Sequence, residues 1–380
     1  MSPVEMHEHP AVAVNPACRE IKDLLEEEAT VVAAVMPTAA EAAETGAAAV
    51  EIEAAGKGAG EGNPMTNKMT TIRVRTSVAL STLLLAWLFV TPFASADDNA
   101  TQVFLSPDAA VTALVAADKA DDMKALSSIL GPEADQILSS GDPVADKNAR
   151  EEFARRYQEM HRLAYDDQGR VILYIGAGNW PVPIPLSKKG SGWVFDTAAG
   201  KGELLFRRIG RNELFTIKVL ERLADAQSEY ASEARDGGSE GQFAQKILSD
   251  PGKQNGLYWE TTGGQPESPI GPLVASATAE GYKKDNGAGP IPFHGYYYKV
   301  LTGQGASAPG GARKYVVDGK MTMGFAFLAY PAEYRASGVM TFMINHDGVI
   351  VQKDLGSDTA KMASAITEYN PDKTWDEVDE

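Results

Sequence analysis

Apolar residues over 106–163 recur at the three- and four-residue spacing of helices, and those over 171–209 gather into short runs of strand length. Ser106-Pro107 pairs a capping side chain with a residue that needs no amide partner, so a helix is predicted to start there, with Val111, Leu114 and Val115 facing inward. A second helix is predicted over 121–130, carrying Met123, Leu126, Ile129 and Leu130 and stopped by Gly131-Pro132. A third, strongly charged helix is predicted over 146–163, with Phe153, Tyr157 and Met160 facing inward. Strands are predicted over 171–175, 192–196 and 203–209. The stretch 180–186 reads as an edge strand or extended polyproline segment, because Pro181, Pro183 and Pro185 have no amide hydrogen for a ladder.

Gly210-Arg211-Asn212 marks a change of character. Residues 213–234 are predicted to form an amphipathic helix with Leu214, Ile217, Leu220, Leu223, Ala224 and Tyr230 on one face, ending before Gly237-Gly238. Residues 249–290 are rich in Gly and Pro and read as an irregular, surface-exposed loop, with short helical turns near 243–248 and 273–279. Strand-like runs follow at 295–301, 314–317, 324–330, 339–345 and 349–353. Asn345-His346-Asp347-Gly348 between the last two is a strong hairpin signal. A closing helix is predicted over 357–369, before Asn370-Pro371. The expected fold class is α+β: a helical-then-sheet module over 97–210, then a module over 211–380 in which an amphipathic helix packs on an antiparallel sheet.

The chain upstream of these modules changes the picture. Over 65–96, Lys68, Arg73 and Arg75 precede a short apolar run from Val78 to Val90, and Ala94-Ser95-Ala96 supplies the small-x-small pattern cut by signal peptidases. The run is shorter than the roughly 20 apolar residues of a spanning helix, so export with cleavage between Ala96 and Asp97 is expected. The alternative is an uncleaved anchor with the positive flank in the cytoplasm. Residues 1–64 are rich in Ala, Glu and Gly and lack aromatics, so they are expected to be disordered. They are read either as a leader ahead of a true start at Met65 or Met69, or as a cytoplasmic tail.

With residues 1–96 set aside, 284 residues remain, holding 40 acidic and 29 basic side chains, a net charge of −11. That balance argues against nucleic acid and anionic lipid surfaces as partners, although a local basic patch is compatible with it. The single cysteine, Cys18, lies in the leader, so neither a disulfide nor a thiolate site is expected beyond it. With only His161, His294 and His346 left there, no metal centre and no cofactor are expected.

The runs GRNEL, DPGKQNGLYW, SPIGPL, HGYYYKVLTGQG, APGGARKY, GFAFLAYPAEY, SGVMTFMINHDGVIVQKDLG and NPDKTW resemble the blocks of a bacterial secreted family, domain of unknown function 2950. The resemblance covers nearly all of the chain after the signal and implies no particular reaction. More weakly, NELFTIKVLERLADAQSEYAS, GYYYKVL, GFAFLAYP and GVMTFMINHDGVI resemble the globular part of type IV pilins and pseudopilins. That second resemblance implies a helix on a small antiparallel sheet. The chain departs from it in having a Sec-type signal rather than a prepilin processing site, so pilus polymerisation is not expected.

No HExxH pair, Walker loop, SxxK or EF-hand loop occurs, and no catalytic or metal-binding residue is assigned. His346-Asp347 has the makings of an acid/base pair but sits in a turn-forming tetrapeptide. His294, beside Tyr296, Tyr297 and Tyr298, would suit a sugar or a cation, or simply a half-buried strand. Trp180, Tyr258 and Trp259 are candidates for exposed aromatic contacts, or for plugs between the two modules. The candidate binding surface is therefore Trp180, Tyr258, Trp259, His294, Tyr297, His346 and Asp347. The leading expectation is a non-catalytic envelope protein, structural or binding, with an envelope component or glycan as partner and the membrane met only through the signal or anchor. The alternatives are an envelope hydrolase pairing Asp347 with Glu333 or Asp318, and a solute-binding module built on Trp259 and Tyr296 to Tyr298.

Overall fold

The computed structural model describes residues 101–261, 266–283 and 290–378. The leader, the signal segment and the cleavage residues Ala94, Ala96 and Asp97 lie outside the described residues, as do parts of the Gly-rich stretch 249–290.

Helix α1 (Pro107–Lys119) starts as its sequence dictates: the Ser106 hydroxyl accepts from the Ala109 amide at 3.1 Å, and Pro107 occupies the first turn. α2 (Met123–Leu130) is capped by Asp122 and ends at Gly131, whose φ of +80° only glycine adopts cheaply. A short α3 (Ala134–Leu138) follows, which the sequence pattern did not predict. α4 (Pro143–Glu159) begins earlier and ends sooner than expected. Its last predicted residues instead form strand β1 (His161–Tyr165), and Met160, expected inside, is 39% exposed.

β1 pairs antiparallel with β2 (Val171–Ile175) from His161↔Ile175 to Tyr165↔Val171, across a turn held by the Asp166 carboxylate. β3 (Trp180–Pro181) pairs with β2, and β4 (Leu186–Lys189) joins β2 to β5 (Gly192–Phe195) in a sheet of order β1-β2-β4-β5. Val182, between two prolines, donates its amide to Leu173 O at 2.8 Å. This sheet and helices α1–α3 enclose one apolar core, with Val111, Leu126, Ile129, Leu173, Leu186 and Phe195 among its buried members.

The expected strand at 203–209 and the break at 210–212 are corrected by the structure. Both lie inside one helix, α5 (Thr197–Ala231), of 35 residues. At 1.5 Å per residue it runs about 50 Å. Its beginning is tied to the first core, where the Thr197 hydroxyl donates to Leu130 O at 2.7 Å. Its second half buries Val219, Leu220, Leu223, Ala226 and Tyr230 in a second core. Between them, Asn212 Nδ2 donates to Ser337 O at 2.8 Å, and the Glu213 carboxylate accepts from the amides of Val339 and Met340 at 2.8 and 2.9 Å. Leu214, expected on the inner face, is 38% exposed.

After α5, residues 243–248 make isolated bridges rather than a helical turn, while α6 (Gly271–Ala279) forms as expected. The second sheet has the order β15-β13-β12-β11-β6, from β6 (Tyr296–Leu301), β11 (Ala326–Pro331), β12 (Met340–Asn345), β13 (Ile350–Asp354) and β15 (Asp376–Glu377), while the two-residue strands β7 (Gly303–Gln304), β8 (Arg313–Lys314), β9 (Val316–Val317), β10 (Lys320–Met321) and β14 (Glu368–Tyr369) pair outside it. Ala326, Phe327, Leu328 and Ala329 are each 0% exposed, so both faces of β11 are covered; α5 and the short α7 (Thr359–Ala365) both pack on it. The closing helix stops well before 369, because Glu368–Tyr369 pairs in parallel with Gly303–Gln304. The fold is thus α+β, as expected. Among the described residues no helix is long and apolar enough to cross a membrane.

Candidate functional site

Trp180 lines a cleft of about 290 Å³ in the first half of the protein, whose floor is apolar and whose wall is cationic. Leu114, Phe153, Ile175 and Leu204 supply apolar surface, and Arg150, Arg207, Arg208 and Arg211 supply charge against only Asp118 and Asp146. The α5 register explains the grouping. Leu204, Arg207, Arg208 and Arg211 stand at i, i+3, i+4 and i+7, which places them on one face of a continuous helix.

Each arginine is differently engaged. Arg207 donates to Glu203 Oε1 at 2.7 Å and to Pro181 O at 3.2 Å, and its guanidinium lies 4.7 Å from the Trp180 ring, so it is committed to holding the rim. Arg208 donates to Ile137 O through one nitrogen, while its Nη1 is buried without a partner. Burial pushes the Arg208 guanidinium below its usual range, with Asp146 opposing that and Arg211 adding to it. Arg150 reaches Asp121 Oδ1 at 2.7 Å, and its Nε is buried without a partner. Arg211 is exposed.

Asp118 Oδ2 is also buried and unpartnered, and burial pushes its carboxyl up to about 6, against the pull of Arg150 and with a smaller push from Asp121. Its folded-state pKa lies above the ordinary 3.8, so the folded protein keeps a proton that the unfolded chain releases. The group favours the fold in acid, and that contribution is lost as pH rises through about 6. Asp118→Asn is expected to raise stability at pH 8 by about 1 kcal/mol, the shift being discounted for its partial exposure, and to leave stability at pH 4 nearly unchanged. Urea unfolding at the two pH values checks this. An equal change at both would assign the effect to packing.

The other sequence-predicted residues do not gather with Trp180 or with one another. Trp259, a candidate for an exposed contact or for a plug, is 6% exposed, and the buried Arg235 places its guanidinium 4.9 Å from the ring. Tyr258 is half-buried beside it, its backbone bonded to Ile247 and Ser249. Tyr297 stands on the edge strand β6 with its ring 5.4 Å from Tyr330; its neighbour Tyr296 is fully buried, and Tyr298 shares a 3.2 Å hydrogen bond with Thr216. The aromatics are therefore spent largely on the core and its margin.

His346 and Asp347 sit in the β12–β13 turn, with Nε2 and Oδ1 3.9 Å apart, too far for a hydrogen bond. Asn345 closes that turn, its Oδ1 accepting from the Asp347 amide at 3.1 Å and its Nδ2 donating to Asp347 Oδ2 at 2.9 Å. Glu333 lies near the other end of β12, bonded through its backbone to the Ser337 hydroxyl, and Asp318 occupies the turn between the two-residue strands Val316–Val317 and Lys320–Met321. At about 3.3 Å per residue along β12, Glu333 and Asp347 cannot flank one bond.

His294 borders a buried polar cluster centred on Asp142, its amide donating to the Tyr282 hydroxyl at 3.1 Å. Its Nε2 lies 2.7 Å from Glu280 Oε2 and its ring centroid 3.9 Å from that of Phe215. Next to it, Asp142 is 0% exposed and accepts four hydrogen bonds. Oδ1 takes the Val144 and Ala145 amides, at 3.1 and 3.0 Å, as the cap of α4. Oδ2 takes the Tyr282 hydroxyl and the Gly295 amide, both at 2.9 Å. Burial and the Asp142 carboxylate hold the Tyr282 hydroxyl far above the usual tyrosine range, so it remains a donor. Every lone pair of Asp142 thus serves the fold, and the cluster joins α4 to the start of β6.

The arginines of the cleft escape a reading of the sequence that takes 203–212 as strand and turn. The available signal was the helical spacing of Leu204, Arg207, Arg208 and Arg211. Among the described residues no group of three His, Cys, Asp or Glu is placed to hold a metal ion. Neither a curated protein nor a solved structure matches the chain. A family model described as protein of unknown function DUF2950 matches residues 101–378, which takes in all of the described residues and most of the chain, and the protein belongs to that family.

Proposed function

We propose that this protein is an exported, non-catalytic component of the cell envelope and that its work is binding. One observation carries the reading: a cleft in the first half combines an apolar floor with four arginines, two of which bury guanidinium nitrogens that no protein group satisfies. Buried polar groups in native proteins are almost always paired, and a cleft with a few convergent polar groups is the usual form of a ligand site. Export rests on the signal pattern over 65–96, and the helix lying on an antiparallel sheet supports the pilin-like reading of the second half as a structural platform.

Two measurements test it. The mature protein is expected to begin at Asp97 and to fractionate outside the cytoplasm, whereas an intact Met1 in the membrane fraction would replace cleavage with anchoring. Native mass spectrometry of protein purified from its own cells is expected to show a small molecule that leaves on denaturation and is lost in Leu204→Trp, which fills the cleft. A single unliganded mass for both forms would sink the binding role.

A further inference from the structure

We propose that the cleft takes a small amphiphilic monoanion, a carboxylate with a short hydrocarbon tail, the head held by Arg150 and Arg208 and the tail lying along Leu114, Phe153 and Leu204. This rests on reading the cleft as a binding site and assigns the chemistry of what enters it.

Charge is the first argument. The whole chain carries a net charge of −17, yet the cleft wall sets four arginines against two aspartates, a local reversal of sign. Burying a guanidinium is costly unless it is paired, and here the cost is only partly met: Arg208 Nη1 and Arg150 Nε are buried without acceptors. A carboxylate in the cleft offsets this unpaired positive charge, because it brings negative charge and acceptor lone pairs and no donor. Asp118 does not fill that role. Its Oδ2 is buried without a hydrogen-bond partner, so it accepts from neither arginine.

Shape is the second argument. Beyond the arginines the wall is aliphatic and aromatic, which suits a tail and offers a sugar few hydrogen bonds. At about 290 Å³ the cleft lies at the lower limit of small-molecule sites, large enough for a short-chain carboxylate and too small for a two-chain phospholipid. Arg207 does not compete for the head, being bound to Glu203, Pro181 O and the Trp180 face. Exposed Arg211 is placed to attract anions to the mouth.

Isothermal titration of the full-length chain with octanoate and with 1-octanol at pH 7.5 tests the assignment. Octanoate is expected to bind and octanol to bind about tenfold more weakly or worse. Arg208→Gln and Arg150→Gln should each weaken octanoate about tenfold, the size of a lost charge-assisted hydrogen bond, and leave octanol unchanged. Leu204→Trp should abolish both, which also separates the cleft from the apolar run over 78–90. Should Arg208→Gln fail to fold, Arg150→Gln decides alone, since its outer partner Asp121 is exposed. Equal binding of octanoate and octanol, indifferent to the arginines but lost in Leu204→Trp, would overturn the anion and keep the cleft as a binding site. No heat sensitive to Leu204→Trp with either probe would overturn both readings. Co-sedimentation with phosphatidylglycerol vesicles, sensitive to Arg208→Gln in a protein silent to octanoate, would move the anion to a lipid headgroup and overturn the small-ligand proposal.

Discussion

Asp142→Ala is expected to lower unfolding stability by about 3–5 kcal/mol. The carboxylate is 0% exposed, and its removal strands four donors: two amides at the start of α4, the Tyr282 hydroxyl and the Gly295 amide. Losing the helix cap alone costs about 1 kcal/mol, and each buried donor left without an acceptor adds about 1–3. Two further variants apportion the loss. Asp142→Asn can keep the cap through its remaining oxygen but turns an NH₂ toward the Gly295 amide, so it should recover only part of the stability. Tyr282→Phe removes one hydroxyl and should cost about 1 kcal/mol. Denaturant midpoints and slopes give these values directly, and a loss below 1 kcal/mol for Asp142→Ala would show that the four bonds do not hold the α4 start to the β6 start.

Gly200→Ala is expected to cost about 3 kcal/mol, although alanine is the better helix former. A Cβ there would sit 2.4 Å from Pro183 O, 2.5 Å from Ile184 Cα and 2.6 Å from Pro183 C, all backbone atoms of a segment stiffened by proline. Gly210→Ala in the same helix is the control. Nothing lies within 4 Å of its added Cβ, so the substitution should stabilise by roughly 0.5–1 kcal/mol through propensity alone. Opposite signs for two identical substitutions, read from thermal melts, would show that α5 is continuous through Gly210 and jammed at Gly200. If Gly210→Ala destabilises, the continuity of the helix at that point is wrong.

Local signals in the sequence were legible where a few neighbouring residues decide the outcome. Ser106-Pro107, Gly131 and the Asn345-to-Gly348 turn each stand where the sequence placed them, since caps and turns are settled within four or five residues. The α+β class and most strands of the second sheet were legible from their apolar runs. The misreadings share one cause, tertiary contacts outweighing local preference. Gly210 looks like a breaker, but its helix is fixed on one side by Thr197 and on the other by Asn212 and Glu213. Residues 366–369 look helical, but Glu368–Tyr369 is drawn into pairing with Gly303–Gln304. Of the candidate site, Trp180 was legible and its arginines were not, because their convergence depends on the helix that Gly210 concealed. Asp142 was equally hidden, its partners Tyr282 and Gly295 being 140 and 153 residues away.

The unbroken α5 has a consequence for how the protein responds as a unit. One rod carries Leu204 and the arginines of the cleft near its start and the buried Leu220, Leu223 and Tyr230 of the second core further along. Unwinding it along its length strips surface from both cores, so the helix links the stability of one half to that of the other. Whatever steadies the cleft therefore also slows the opening of the sheet some 30 Å further along the rod, and occupancy would be felt as resistance to proteolysis far from the ligand.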